Sequence, residues 1–321
     1  MLNRRALVAA ACASVWASGA TAAAFPTKAV TIVVPYPAGG PSDIVARALA
    51  DKLSARWSQP VVVENKTGAN GIIATEAVAR SPADGHTLLL HLTGYIQNAS
   101  LYRKLPYDPS RDFKPLVQIG TQPMALAVSE SSPIRSMDDL GATARNTAAA
   151  ASYGSFGAGS TGHIFGELLN ANLKTAAPHV PYRGESPMLM DLIAGRVTYG
   201  FVSSTAAVNR MKDQSLRILA VSGTRRFAQL PQVPTLTELG FSGYDIVGWY
   251  GLFAPVRTPA STSALIEADV LAVLGTPEIK ERLKELAIEP TGLPASAFGA
   301  ELQEDAAKWD RLIKRFQITL D

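Results

Sequence analysis

The sequence predicts an α/β fold of two lobes, each a mostly parallel sheet flanked by helices. Three observations carry this. Short β-branched runs alternate with amphipathic helical stretches in βαβαβ order. The alternation comes in two separate series, and a helical tail follows the second.

The first series opens at Val30–Val34, continuously apolar as a strand covered on both faces must be. Val45, Leu49, Leu53 and Trp57 then recur every four residues, marking one face of a helix that opens near Ser42 and Asp43. Val61–Val63 is the second strand, Gly71–Arg80 the next helix, stopped by Pro82, and Leu88–Leu92 the third strand. In the second series Ala125–Val128 is a strand, and Ser136 with Asp139 forms a capping box. Ala148–Ser152 is a weaker strand that leads through a glycine-rich loop into a helix at Gly162–Leu173. Ser186-Pro187 starts a helix that ends at Gly195, followed by strands at Val197–Val202 and Ile218–Val221. The tail is helical over Ala264–Leu274, Thr276–Ala287 and Ala297–Phe316. Crossings near Gln122-Pro123 and Tyr244-Asp245, with the tail returning, give one lobe of residues 25–123 plus 246–321 and a second of residues 124–245.

The balance of 47% hydrophobic and 18% charged residues in 321 suits two globular domains. Residues 1–24 stand apart: Arg4 and Arg5, a small apolar stretch from Ala6 to Trp16, and Ala22-Ala23-Ala24 as a cleavage site. This predicts a secretory signal peptide. Arg4-Arg5 is also compatible with twin-arginine export. Its removal takes away Cys12, the one cysteine, so disulfides, thiolate metal sites and a cysteine nucleophile are excluded. It also lowers the formal net charge from +3 to +1, and without a basic run nucleic acid is not an expected partner. No later stretch is long and apolar enough for a membrane span. His86, His91, His163 and His179 lie in no metal-ligand spacing, and neither a G-x-S-x-G elbow nor a G-K-[ST] phosphate loop occurs. The sequence therefore predicts a protein that is not an enzyme and takes no cofactor.

Two loops carry the candidate ligand contacts. In the first, Pro35 to Asp43, three prolines stiffen the chain and Gly39 and Gly40 let backbone amides approach a ligand. It ends at a helix start, where free N–H groups and the helix dipole favour an anion. Tyr36, Ala38, Gly39, Gly40, Ser42 and Asp43 are its candidates, with Asp43 by itself better explained as a cap. The second runs from Tyr153 to His163 and contains G-x-G-x-x-G at Gly157, Gly159 and Gly162. A dinucleotide site needs an acidic residue after the next strand, and Pro178–Arg183 supplies none. Ser155, Gly159, Ser160, Thr161 and His163 instead suit one carboxylate, although a histidine in a first helical turn is more often a packing residue. Thr93 follows the third strand at the edge of the first loop. Arg183 precedes a helix, where solvation competes with pairing to an acid. Trp249-Tyr250 suits either a cleft or a hinge. Two such helix starts, one per lobe, would face each other across a cleft and hold a carboxylate without a buried arginine, avoiding the desolvation of an ion pair.

The motifs PYPAGGPSD (Pro35 to Asp43), VVVENKTGANG (Val61 to Gly71), SPADGHTLL (Ser81 to Leu89), KLPYDPSRDF (Lys104 to Phe113), YGSFGAGSTGH (Tyr153 to His163), VPYRG (Val180 to Gly184), VPTLTELGF (Val233 to Phe241) and GWYGLFAP (Gly248 to Pro255) occur in order. On them the chain resembles the Bug receptors, the periplasmic solute-binding proteins of tripartite tricarboxylate transporters. The resemblance implies a type II-like periplasmic binding protein that closes like a Venus flytrap. It implies carboxylate oxygens held by backbone amides and bridging waters from the two loops. It also implies delivery of a small organic acid to the large and small transporter membrane subunits by a monomer in the periplasm. A sensory receptor for a two-component system is the alternative, and an exported nucleotide-dependent enzyme a more distant one. One departure stands out: Thr198 and Val202 replace two acidic residues of the family pattern after Gly195. This predicts a pocket without a carboxylate for a ligand ammonium, and hence a plain organic acid.

Overall fold

The computed structural model describes residues 25–146 and 151–320; the expected signal peptide, with Cys12, lies outside them. The first βαβαβ series forms as its pattern demands. β1 (Val30–Val34) pairs in parallel with β2 (Val61–Asn65) on one side and β3 (Thr87–Leu92) on the other. Between them run α1 (Pro41–Trp57) and α2 (Ile72–Ala79). Proline at the first position of α1 fits its fixed φ and missing N–H. The four-residue periodicity sends Val45, Leu49 and Leu53 into the core beside Val30, Ile32 and Val34. Trp57 stays at the margin, where its indole N–H donates to Asp269 Oδ2 at 2.6 Å.

After β3 come α3 (Gly94–Leu101) and β4 (Phe113–Gln122), neither marked by the sequence pattern. Pro115, Gln118 and Gly120 interrupt the apolar run of β4, yet Leu116, Val117 and Ile119 are buried. A single residue, Pro123, separates β4 from β5 (Met124–Ser129), which belongs to a different sheet. The second series continues through α4 (Met137–Asn146), β6 (Tyr153–Ser155), α5 (Thr161–Leu173), β7 (His179–Pro181), α6 (Glu185–Ile193), β8 (Tyr199–Ser203), α7 (Ser204–Lys212) and β9 (Leu216–Val221). The reciprocal cap of α4 is present: Ser136 Oγ accepts from Asp139 N–H, and Asp139 accepts from Arg135 N–H. The strand expected at Ala148–Ser152 forms a few residues later as β6; residues 147–150 are outside those described.

The chain then returns as β10 (Gly248–Pro255), α8 (Ala260–Leu274), α9 (Pro277–Glu285), β11 (Glu289–Pro294) and α10 (Ala295–Arg315). β11 falls between the last two expected tail helices, in a stretch the sequence pattern left unassigned; its two prolines suit an edge strand, and it pairs with β4. The six-stranded sheet has the order β11-β4-β10-β3-β1-β2, and the five-stranded sheet β7-β6-β8-β5-β9. Both are mixed. The βαβ units supply the parallel pairs, and the strands beside the crossings, β4, β10 and β5, run antiparallel to their neighbours.

An aromatic core joins the sheets. Trp309 of α10 stacks on Phe165 of α5 at 5.3 Å, and Phe298 of the same helix meets Trp249 of β10 edge-on at 5.3 Å. Ser204 Oγ and Thr205 Oγ1 at the start of α7 donate to the carbonyls of Ala287 and Leu286 beyond α9.

Candidate functional site

Between the sheets lies a cavity of about 710 Å³. Its walls come from the loops after β1, β2 and β3, from the loop after β6, from the starts of α6 and α7, and from β10. These are mostly carboxyl ends of parallel strands, where α/β sheets place their ligands.

The loop after β1 is built from inside. Gly39 has φ +81°, a conformation that favours glycine. Asp43 Oδ2 accepts from Gly39 N–H (2.9 Å) and from Arg47 Nε (3.0 Å). Burial pushes the Asp43 carboxyl up, but the bonds from Arg47 and Gly39 outweigh it and hold the group below its usual range. In α1, Pro41 has no N–H and Ile44 N–H bonds to Gly40 O. The amides of Ser42 and Asp43 therefore have no helical acceptor.

The loop after β6 is braced from behind. Ser160 Oγ donates to Gly157 O (2.6 Å) and accepts from His163 N–H (3.3 Å), capping α5. Ile164 N–H bonds to Ser160 O, which leaves the amides of Thr161 and Gly162 without a helical acceptor. Gly159 (φ +72°) donates its N–H to His163 Nδ1 at 3.1 Å. The His163 ring stacks on His179 at 3.8 Å, and His179 Nε2 lies 2.7 Å from Ser155 Oγ. Burial lowers the pKa of both imidazoles, that of His179 to about 4 with the neighbouring His163 adding to the effect. A neutral His163 can accept from Gly159.

Of the sequence-derived candidates, Tyr36, Gly40, Ser42, Thr93, Gly159, Ser160 and Thr161 line this one cavity. The others do not. Ala38 and Gly39 form the exposed tip of their loop, and Arg183 is exposed as well. Asp43, Ser155 and His163 stand behind the wall as the supports just described. Val202 is fully buried in β8, packed with Ala125 and Val221.

Several lining residues escaped the sequence pattern. Gly68, Ala69, Asn70 and Gly71 form a run of four positive-φ residues, so two non-glycines are held in the left-handed region. The spelling G-A-N-G was the available signal. Gln97 of α3 crosses the gap and donates from Nε2 to Thr161 Oγ1 at 3.0 Å.

Glu185 overturns one expectation. A pocket without a carboxylate was expected from Thr198 and Val202. The structure puts Glu185, at the first turn of α6, on the cavity wall beside Ser203 and Thr205. Position along the chain misled here, because α6 brings a carboxylate from a segment other than the one that lost two. Among the described residues lining the cavity, Glu185 is the one charged side chain.

The family model for the tripartite tricarboxylate transporter family receptor matches residues 45–318. The chain belongs to that receptor family. The receptor is similar to a UPF0065 protein in the tcbD-tcbE intergenic region of Pseudomonas sp. (strain P51), 36% identical over 296 residues, 92% of this chain and 88% of that protein. Among solved structures, the periplasmic binding protein BugD is 30% identical with a TM-score of 0.80, covering 92% of this chain and 100% of that one. An R. palustris protein solved with adipate is 34% identical with a TM-score of 0.82, covering 92% and 100%. The receptor thus has the two-lobed periplasmic binding fold and belongs with solute-binding receptors, not with enzymes. No helix among its described residues is long and apolar enough to cross a membrane.

Proposed function

We propose that this receptor captures a small organic acid by its carboxylate between the starts of α1 and α5. The occupied form then passes its ligand to the large and small membrane subunits of a tripartite transporter. In this account residues 1–24 direct export and are cleaved, and the receptor works as a monomer in the periplasm. The lobes that close are residues 25–123 with 246–321, and residues 124–245. One observation carries the proposal: two helix starts from different sheets, each with two amides free of helical acceptors, flank a single cavity that no lysine or arginine lines among the described residues. Such donors hold a carboxylate through aligned dipoles without burying a cation. The adipate held by the R. palustris relative supports the same ligand class.

A thermal-shift screen of mono-, di- and tricarboxylates on residues 25–321 tests it. A ligand at 100 times its Kd stabilises the folded state by about 2.7 kcal/mol, readily seen as a raised Tm. If every acid leaves the Tm unchanged at millimolar concentration, the proposal is wrong.

A further inference from the structure

Among the described residues, no lysine, arginine or histidine pairs with the charge on Glu185. Its Oε1 accepts from Ser203 N–H at 2.5 Å and its Oε2 from Ser203 Oγ at 2.9 Å, so the carboxylate is fixed in place. Arg183, two residues earlier, is exposed and does not line the cavity. A carboxylate has about four acceptor positions, and Ser203 fills two.

Tyr250 of β10 also lines the cavity, and its hydroxyl already donates to Gln122 Oε1 at 3.1 Å. Burial, and then the charge of Glu185, push the Tyr250 phenol above its usual range. Burial also raises the pKa of Glu185 itself, while the two bonds from Ser203 oppose that rise. A half-buried charge held by hydrogen bonds yet lacking a counter-ion carries a desolvation cost that a cation from outside the protein would offset.

We propose that Glu185 selects ligands carrying a protonated amine in addition to the carboxylate. The acid group sits at the helix starts and the ammonium at Glu185, with Ser203 as the residue that positions it. A second carboxylate at the same place would meet like charge. This inference rests on the proposed carboxylate-receptor function and narrows its ligand class to zwitterionic acids.

The test compares matched pairs by calorimetry at neutral pH: succinate with aspartate, glutarate with glutamate, adipate with 2-aminoadipate, and pentanoate with 5-aminopentanoate. In the wild-type receptor the amine-bearing member of at least one pair should bind about tenfold or more tightly than its partner, as a charge-assisted hydrogen bond provides. Glu185→Gln keeps the shape and an acceptor for Ser203, and it should erase that preference while leaving the amine-free acid unchanged or improved. Tighter wild-type binding of the amine-free members overturns the role of Glu185, as does an equal loss for both members in Glu185→Gln; either leaves carboxylate capture standing. Should no acid of either kind bind the wild type, both proposals fall. The wild-type comparison decides even if Glu185→Gln does not fold.

Discussion

Acid should weaken this receptor through His91 by an amount that can be worked out. His91 lies on β3 with no exposed surface, beneath the loops that form one wall of the cavity. Its ring is 5.7 Å from those of Tyr36 and Tyr95, and Nδ1 is 2.8 Å from Leu92 N–H. Nε2 has no hydrogen-bond partner and sits against Gly71, where even a methyl group would approach it to 2.6 Å. A charged ring is disfavoured in this buried site; the Leu92 carbonyl, 2.9 Å from Nδ1, favours the second proton, but burial outweighs it and lowers the pKa from 6.5 to about 4. As pH falls from 7, the unfolded chain takes up the proton near 6.5 while the folded chain does so only near 4. Stability is therefore complete above about pH 6.5 and declines between the two values. At pH 5 the loss is about 2 kcal/mol, from 1.36 kcal/mol per unit. For a chain of this size that is roughly 4 °C in Tm. The assay is Tm against pH for wild type and His91→Gln, in which the other three histidines are shared and cancel. The variant is expected to start lower at pH 7, and the gap should narrow by about 4 °C at pH 5. Parallel curves would refute the assignment of a proton-excluding site to His91.

Three further outcomes follow from the geometry. Gly166→Ala places a methyl carbon 2.1 Å from the Tyr153 ring, itself stacked between His179 and Tyr199, so overpacking should cost about 1–3 kcal/mol in urea unfolding. Trp309→Ala removes the stack on Phe165 and a piece of the cavity wall. A loss of about 3–5 kcal/mol is expected, and an unchanged urea midpoint would show that α10 does not bind the sheets together. Ser160→Ala and Ser136→Ala each delete a helix cap and should each cost about 1 kcal/mol. Calorimetry should show weaker ligand binding for Ser160→Ala alone, since only that cap also holds the carbonyl of Gly157 in the cavity loop.

Much of this architecture is set by local chemistry along the chain. The four-residue spacing of Val45, Leu49 and Leu53 and the unbroken apolar run of β1 are properties of single segments, and they specified a helix face and a strand covered on both sides. Ser42 and Thr161 were identifiable for the same reason: a helix start leaves amides free whatever surrounds it. Strands β4 and β11 were not legible, because their prolines and polar residues make sense only beside the partners that cover them. The cavity's charge was decided by tertiary structure alone. Whether a carboxylate meets the ligand depends on which segments share a wall, and here the walls come from residues as far apart as Tyr36 and Trp309. The family resemblance pointed to Val202, which the fold buries. Folding β8 beside α6 brought Glu185 to the wall instead, since two amide and hydroxyl donors of Ser203 anchor it there.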